Sequence, residues 1–272
     1  MNLVFASGFL FPQQILITDY FKDLDGHIGN RHEKLFPEVP VVAGYQARAQ
    51  ALADQIHNKY PTGPIHIIAH SMGGLDSRFL IGNNINGLAT PGRIASLTTL
   101  ATPHAGSPVA DLLAGAKPDD WQGPFYEGLR RLLDPLIATG ALRDLTRDRA
   151  LELPKVTQSH PHIRYRSHAA AGRPTSLFPT TGLSLLPTSG LLFGPHEYVR
   201  RKTGQENDGV VAVDSARYGE FQEPLWACDH ADMVGHNLDG VIDVVGFHFD
   251  HFAVFDAIID QLEAESQAAG GK

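Results

Sequence analysis

The segment that decides the fold reads Ile67-Ile68-Ala69-His70-Ser71-Met72-Gly73-Gly74-Leu75. An apolar run typical of a buried strand leads into a serine that has small residues two positions before it and two positions after it. A helical pattern follows at once and continues to about Ile81. The spacing predicts a tight strand-to-helix turn with Ser71 at its apex, because Ala69 and Gly73 are small enough to sit beside so sharp a bend.

The predicted turn also places a hydroxyl where acyl chemistry can occur. It sets Ser71 at a helix N-terminus, where the backbone N–H of Met72 can donate to an oxyanion. A second donor is expected from the loop after the first strand, where Ser7-Gly8-Phe9 offers the N–H of Phe9. Two alternatives stay open: the serine motif is a chance match at an ordinary turn, and Gly8 merely closes its strand.

Alternating strand and helix patterns extend outward from this turn. Short apolar runs predict strands at 2–6, 39–42, 64–69, 94–101, 163–167, 209–213 and 224–227. Helices are predicted at 45–60, at 72–81 and near the C-terminal end, where one face carries Phe252, Phe255, Ile258, Ile259 and Leu262. This order is typical of a mostly parallel sheet flanked by helices. The predicted fold class is therefore α/β. Together with the serine turn described above, it predicts a single α/β-hydrolase domain over residues 1–272.

Other stretches carry less regular patterns. Residues 107–153 are mostly helical in pattern and predict a helical lid or cap insertion. Residues 172–195 are rich in Gly, Pro, Ser and Thr, which predicts a long irregular loop, and the tail from Ser266 is expected to fray. In the helix at 45–60, the amphipathic pattern consists of Ala47, Ala51, Leu52, Gln55 and Ile56.

Composition limits the classes of function. The 272 residues carry a formal net charge of −8, which argues against a nucleic-acid partner because phosphate binding requires a basic face. Cys228 is the one cysteine and is expected to be a small buried hydrophobe, so no intramolecular disulfide can form. No apolar run is long enough to predict a membrane span. No leader pattern is visible either, which predicts a cytoplasmic protein, although a secreted mature form would look the same.

A serine nucleophile needs a base, and the base needs an acid that orients it. In α/β hydrolases the acid and then the histidine follow the serine, on loops after later strands. Asp208 in Asn207-Asp208-Gly209 and His230 in Asp229-His230-Ala231-Asp232 occupy such positions. The alternatives left open by the residues are Asp214, Asp229 and Asp232 for the acid, and His236, His248 and His251 for the base.

These residues resemble the bacterial true lipases, the family I triacylglycerol lipases of the α/β-hydrolase superfamily. The resemblance covers most of the chain in blocks: Gly8-Phe9-Leu10, Asp19-Tyr20-Phe21, His70 to Arg78, Leu100 to Asp111, Ala141 to Thr146, Asn207-Asp208-Gly209 and Asp229 to Asp232. The blocks around Ser71 and from Thr102 to Asp111 are the specific ones. In that family the aspartate of the Asn-Asp-Gly segment and the later histidine complete the triad, which implies Asp208 and His230 here.

The resemblance implies a serine carboxylic-ester hydrolase, a lipase or esterase, that acts on acylglycerols or other hydrophobic esters through an acyl-serine intermediate. Its implied partners are ester or lipid substrates and a transient contact with a lipid interface. A polyester depolymerase, an acyltransferase or a thioesterase with the same triad are alternatives. A non-catalytic binding protein of this fold is a further alternative, but it predicts a broken triad, whereas all three members stand in the expected order.

The sequence departs from the family at the first strand and near the histidine. The usual His-Gly pair is Ser7-Gly8 here, which changes a side chain of the oxyanion loop but need not remove the backbone donor. Asp232 matches a calcium-ligand position, yet its usual aspartate partner upstream has no counterpart, because no aspartate lies between Asp148 and Asp208. No cofactor or metal is therefore predicted, and Asp232 is expected to bond backbone N–H groups near His230.

Two further expectations concern the surroundings of the site. The predicted lid has an apolar face that either covers an acyl pocket or packs on the sheet: Leu112, Leu113, Phe125, Leu129, Leu132, Leu133, Leu136 and Ile137. His70 and His104 flank the site in sequence, and we expect each to form supporting hydrogen bonds and not to take part in the reaction.

Overall fold

The structure, a computed structural model, describes residues 1–9, 19–115, 139–172, 189–236 and 249–270. These residues form a six-stranded parallel sheet in the order β2-β1-β3-β4-β5-β6. The strands are β1 Asn2–Ala6, β2 Glu33–Leu35, β3 Ile65–His70, β4 Ile94–Leu100, β5 Arg164–His168 and β6 Glu220–Phe221. The predicted parallel α/β architecture is confirmed.

Helices cover both faces of the sheet. Their bounds are α1 Leu24–Ile28, α2 Tyr45–Lys59, α3 Met72–Gly82, α4 Pro108–Leu113, α5 Gly140–Asp144, α6 Arg147–Ala150, α7 Ser189–Thr203, α8 Val213–Ala216 and α9 His251–Gly270. Short 3-10 turns lie at Ile85–Gly87, Leu153–Lys155 and Asp232–Val234. No helix in the described ranges combines the length and the hydropathy that a membrane crossing requires.

Strand β1 shows how the three layers are held together. Successive side chains of a strand point to opposite faces of the sheet. Leu3 and Phe5 pack with residues of α1 and α9 on one face, whereas Val4 and Ala6 pack with residues of α2 and α3 on the other. Both faces of the central strands are thereby buried. This burial explains why every residue of β3 is apolar except His66 and His70.

Three strand predictions were wrong, and each failed at a short or irregular segment. Residues 39–42 form a turn, because Pro40 lacks the N–H of a sheet ladder and its carbonyl accepts the N–H of Ala43. The second strand is instead β2, at the sheet edge. Residues 209–213 form a loop with an isolated bridge that leads into α8, and residues 224–227 contribute only an isolated bridge from Trp226 to Ala170.

The predicted helices agree with the structure better than the predicted strands do, and two neighbouring predictions need correction. The predicted irregular loop at 172–195 overlaps α7, which begins at Ser189, and its residues 173–188 lie outside the described residues. The tail predicted to fray from Ser266 continues as helix to Gly270. In α2 the buried residues are Tyr45, Arg48, Ala49, Leu52, Ala53 and Ile56, so the buried face includes an arginine that the predicted pattern omitted.

Candidate active site

The turn between β3 and α3 has the sharp geometry that the sequence predicts. Ser71 adopts φ 54° and ψ −129°, a conformation that L-residues rarely take. A Cβ at Gly73 would collide with the carbonyl of Ala6, and a Cβ at Gly74 would collide with the side chain of Thr102. Because Gly73 and Gly74 have no side chains, α3 can begin in close contact with the ends of β1 and β4. The strained Ser71 is thereby held above the sheet.

The structure brings Ser71, His230 and Asp208 together although they are far apart in sequence. His230 Nε2 lies 2.9 Å from Ser71 Oγ, and His230 Nδ1 lies 2.6 Å from Asp208 Oδ2. A carboxylate can only accept, so Asp208 holds a proton on Nδ1 and leaves Nε2 as the acceptor for the serine hydroxyl. Such an arrangement can remove the proton of the hydroxyl as it attacks an electrophile.

The Asp208 carboxylate is fixed from its other side by the loop that follows it. Asp208 is 1% exposed, and its Oδ1 accepts the backbone N–H groups of Val210 at 2.9 Å and Val211 at 2.7 Å. The Asp208 carbonyl also accepts the backbone N–H of His230 at 2.9 Å. The segment 209–213 that was predicted as a strand thus serves as a backbone cradle for this acid.

The rival acids and bases have other neighbours. Asp214 pairs with Arg217 at 3.3 Å and also accepts from Gln205. The rings of His236 and His251 contact the backbone carbonyls of residues 20 and 22, at 3.0 Å and 2.9 Å. His251 begins α9 as predicted, and His248 lies outside the described residues.

The residues of the two predicted oxyanion donors, Phe9 and Met72, lie near Ser71. An added Cβ on Gly8 would come within 2.6 Å of Ser71 Cβ, so the loop after β1 runs directly beside the serine. Phe9 follows on that loop and borders the same cleft as Ser71 and His230. Met72 is the first residue of α3, where helix N–H groups have no intrahelical acceptor. Phe9 and Met72 therefore both lie near Ser71, and their roles as oxyanion donors stay a prediction.

His70 and His104 form supporting contacts near the site. The His70 ring lies 4.6 Å from the His230 ring, centroid to centroid, and His70 Nδ1 lies 2.7 Å from the Tyr20 hydroxyl. Burial, with the adjacent His230 as a smaller cause, holds the pKa of His70 well below its ordinary value. His104 contacts Arg78 at 3.1 Å and Thr99 at 3.1 Å, and burial likewise lowers its pKa. Both imidazoles are therefore neutral hydrogen-bonding groups.

An ion pair that sequence reasoning missed lies behind the serine. Arg48 of α2 and Asp76 of α3 are 0% and 1% exposed, and Arg48 Nε lies 2.8 Å from Asp76 Oδ2. Burial raises the pKa of the Asp76 carboxyl to about 7, and the Arg48 guanidinium opposes that shift. The signal in the sequence was an arginine at helical spacing from Leu52 and Ile56, on the face that α2 buries.

An open cleft of about 380 Å³ lies above Ser71 and His230. Its other lining residues are mostly apolar and come from loops and from the short helices α4 and α5: Phe9, Pro103, Ser107, Val109, Ala110, Leu142, Leu145 and Val210. No substrate-binding residue was predicted from the sequence. The lining residues border the Ser71 hydroxyl, and their apolar surface suits a hydrophobic acyl or alkyl group.

Only the ends of the predicted insertion at 107–153 can be compared with the structure. Leu112 and Leu113 of α4 are buried, and Leu113 packs in the cluster that contains Phe9 and Met72. The remaining six residues of the expected apolar face fall within 116–138, outside the described residues. The lid itself therefore stays a prediction.

The residues near His230 do not fit a calcium site in the part of the chain that the structure covers. Asp232 Oδ2 accepts the backbone N–H of Asp229 at 3.1 Å, which is the role expected for it as a loop acid. Among the described residues no group of three or more His, Cys, Asp or Glu side chains could hold a metal ion. The expectation that the protein needs no cofactor stays a prediction.

Comparisons with known proteins agree with this geometry. Residues 32–172, just over half of the chain, match the family model of the alpha/beta hydrolase fold. Triacylglycerol lipase 2 of Saccharomyces cerevisiae is 31% identical over a match that covers 72% of this chain and 56% of the yeast protein. A lipase of Staphylococcus epidermidis is 26% identical over 65% of this chain and 36% of its own length. The crystal structure of a metagenomic carboxyl esterase has a TM-score of 0.70 at 22% identity, and the match covers 97% of this chain and 76% of that one.

The matches differ in what they establish. This chain spans little more than half the length of the yeast relative and a smaller share of the staphylococcal one. At 22% identity, the structural match establishes the fold alone. The predicted fold class and the predicted resemblance to bacterial-type lipases are confirmed. The chain belongs to the α/β-hydrolase fold family.

Proposed function

We propose that this protein is a serine carboxylic-ester hydrolase, a lipase or esterase, with Ser71 as nucleophile, His230 as base and Asp208 as acid. The observation that carries the proposal is a continuous chain of hydrogen bonds through the His230 ring. Ser71 Oγ lies 2.9 Å from one ring nitrogen, and the Asp208 carboxylate lies 2.6 Å from the other. The strained turn at Ser71 supports it independently, because backbone strain of this kind is retained where function requires it.

The first half of the reaction acylates the serine. Ser71 Oγ attacks the ester carbonyl carbon as His230 Nε2 takes the hydroxyl proton, and Asp208 stabilises the imidazolium that forms. The carbonyl oxygen becomes an oxyanion, and the backbone N–H groups of Phe9 and Met72 are the proposed donors to it. Each such donor is worth about 3 kcal/mol of transition-state stabilisation in comparable sites. The C–O bond then breaks, and His230 returns its proton to the departing alkoxide, which leaves as an alcohol.

The second half releases the acid. Water enters beside His230, loses a proton to Nε2 and attacks the acyl carbon of the ester on Ser71. The same two N–H groups would stabilise the second oxyanion. When the bond to Oγ breaks, the proton on His230 passes to the serine. The products are one carboxylic acid and the original hydroxyl, so the cycle closes without a cofactor.

The proposed substrates are acylglycerols or other hydrophobic esters. Support comes from the apolar lining of the cleft, in which Val109, Leu142 and Leu145 lie with the serine and the histidine. The names of the sequence relatives, a triacylglycerol lipase and a lipase, point to the same class. Contact with a lipid interface belongs to the proposal as well, since such esters are poorly soluble.

Covalent labelling provides the direct test. A fluorophosphonate probe should label the folded protein, and Ser71→Ala should abolish the labelling without changing the circular dichroism spectrum. Hydrolysis of p-nitrophenyl esters from short to long acyl chains, together with emulsified triglyceride, would then define the substrate. Product analysis with an added alcohol would separate hydrolysis from acyl transfer. A folded protein that neither reacts with the probe nor cleaves any of these esters would contradict the proposal.

A further inference from the structure

Arg48 stands out because it is a fully buried cation in the first turn of the amphipathic helix α2. Removing a charge from water costs several kcal/mol unless the charge is paired and hydrogen-bonded. Asp76 provides the pairing, at 2.8 Å from Arg48 Nε, and it belongs to α3, the helix that begins directly after Ser71. The pair therefore joins α2 to the helix whose first N–H group is a proposed oxyanion donor.

The rest of the Arg48 guanidinium is directed at the loop after β1. Its Nη2 donates to the Ser7 carbonyl at 2.7 Å and to the Gly8 carbonyl at 3.2 Å, and its Nη1 donates to the Pro40 carbonyl at 3.4 Å. The planar guanidinium has several N–H donors in fixed directions and can therefore hold several acceptors at once. A lysine ammonium, which acts as a compact point charge, fixes the acceptors less well. Two successive peptide groups of the loop are thus oriented by one side chain.

Each of those carbonyls shares a planar peptide unit with the N–H of the next residue, so fixing the carbonyl also fixes the direction of that N–H. In a trans peptide the C=O and the following N–H point in opposite directions. The Gly8 carbonyl faces Arg48, so the Phe9 N–H is directed to the opposite side of the loop, where Gly8 lies against Ser71. The same rule turns the Gly8 N–H away from Arg48, and the Tyr20 hydroxyl lies close to Gly8, within 2.6 Å of where a Cβ would be.

We infer that Arg48, held by Asp76, is a positioning residue that aims the Phe9 N–H at the oxyanion formed on Ser71. This inference rests on the proposed function, since it assigns an origin to one of the two proposed donors. Within the described residues, the Arg48 side chain forms no hydrogen bond to Ser71 or to a residue that lines the cleft, so it acts through the loop. Asp76, five residues after the nucleophile, ties the loop to α3 and thereby sets the two donors relative to each other.

The test compares two buried arginines. Arg48→Met removes the contacts to Ser7 and Gly8. Arg166→Met instead removes an ion pair with Glu265 that is less deeply buried, with side chains 8% and 21% exposed, and that lies away from the loop. We expect both variants to lower the melting temperature. Only Arg48→Met should lower kcat for a p-nitrophenyl ester, by about 100-fold as for loss of one oxyanion donor, with KM changed little. Its affinity for an alkyl trifluoromethyl ketone, whose serine adduct carries an oxyanion, should fall by a similar factor.

A conservative variant keeps the inference testable if Arg48→Met does not fold. Arg48→Lys retains the charge beside Asp76 but loses the planar fork, and we expect kcat to fall by about 10-fold while the pH profile of kcat/KM keeps its shape. Equal loss of kcat in Arg48→Met and Arg166→Met, or wild-type ketone affinity in Arg48→Lys, would overturn the inference. A wild-type protein that hydrolyses no ester would count against the proposed function instead.

Discussion

Two serine–histidine pairs lie at opposite ends of β3, and only one of them has the surroundings for catalysis. At the start of the strand, His66 Nδ1 lies 2.8 Å from the hydroxyl of Ser96, a contact as short as the 2.9 Å between His230 and Ser71. Both serines are buried, at 1% and 4% exposure. A short Ser–His hydrogen bond is therefore not sufficient to identify a reactive serine.

The surroundings of the two pairs differ in three respects. The second nitrogen of His66 faces the Ser266 hydroxyl at 3.4 Å, whereas that of His230 faces a carboxylate at 2.6 Å. Ser96 lies within strand β4, whereas Ser71 sits on a strained turn beside an open cleft. Burial, aided by the nearby Arg164 and the chain N-terminus, lowers the pKa of His66 to about 4. A base with so low a pKa would hold a proton poorly at neutral pH.

The largest expected effect comes from removing each hydroxyl in turn. Ser71→Ala should lower kcat by about 10⁶-fold, because the nucleophile and its base act as one unit. Ser96→Ala should leave kcat within about twofold and cost roughly 1 kcal/mol of stability, the usual worth of one hydrogen bond. Ester hydrolysis and thermal unfolding of both variants would measure this. A strong loss of activity in Ser96→Ala would erase the distinction between the two pairs.

The second-largest effect is expected when the Asp208 carboxylate is replaced by an amide. Asp208→Asn keeps an oxygen that can accept from Val210 and Val211, but its amide group can donate to His230 Nδ1 and impose the wrong tautomer. We expect kcat to fall by about 10⁴-fold while the fold is retained. Steady-state kinetics and circular dichroism check both parts. Wild-type turnover in Asp208→Asn would show that His230 needs no carboxylate and would remove one difference between the pairs.

A third prediction concerns pH and the His66 pair. The pKa of His66 is about 4 in the folded protein and 6.5 as the ordinary value, so the unfolded chain binds the proton more tightly. The contribution of neutral His66 is therefore complete above pH 6.5 and is lost as the pH falls toward 4, by about 3 kcal/mol in all. Denaturant unfolding from pH 7 to pH 4 should show this loss, and His66→Gln should flatten it. Parallel pH curves for the two proteins would contradict the assignment.

The smallest effect is expected at Ser266. Its hydroxyl donates to the Leu262 carbonyl at 2.7 Å within α9 and lies 3.4 Å from His66, so it is a weak second partner for the ring. Ser266→Ala should change the free energy of unfolding by less than about 1 kcal/mol and leave kcat unchanged. Denaturant titration provides the measurement. A loss several times larger would mean that Ser266 supports His66 in the way that Asp208 supports His230.

The strand-to-helix turn could be predicted from the sequence because its requirements are local. Small residues must flank Ser71, and the sequence carries them at fixed spacing. Long strands such as β3 and β4 were found for the same reason. The edge strands β2 and β6 were missed because they have only three and two residues, and their pairing depends on the neighbouring strand more than on their own side chains.

The supporting groups could not be predicted in the same way. Arg48 is buried only because Asp76 and two loop carbonyls, 28 to 41 residues away along the chain, meet it in the folded protein. The apolar run at 209–213 looks like a strand, yet its backbone N–H groups are used by Asp208 and not by a neighbouring strand. Local pattern predicted the reactive group, and long-range contacts determined what holds it in place.

Finally, the hydrogen bond between Ser71 and His230 joins residues that are 159 positions apart. Closing so long a segment is among the slower events in folding, because the entropy of the intervening chain must be lost first. In a newly made polypeptide, Ser71 can therefore pair with its proposed base only after the segment that contains His230 has left the ribosome and docked. Probe labelling of nascent or refolding chains would accordingly report completed folding, and shortened chains that end before residue 230 should remain unlabelled.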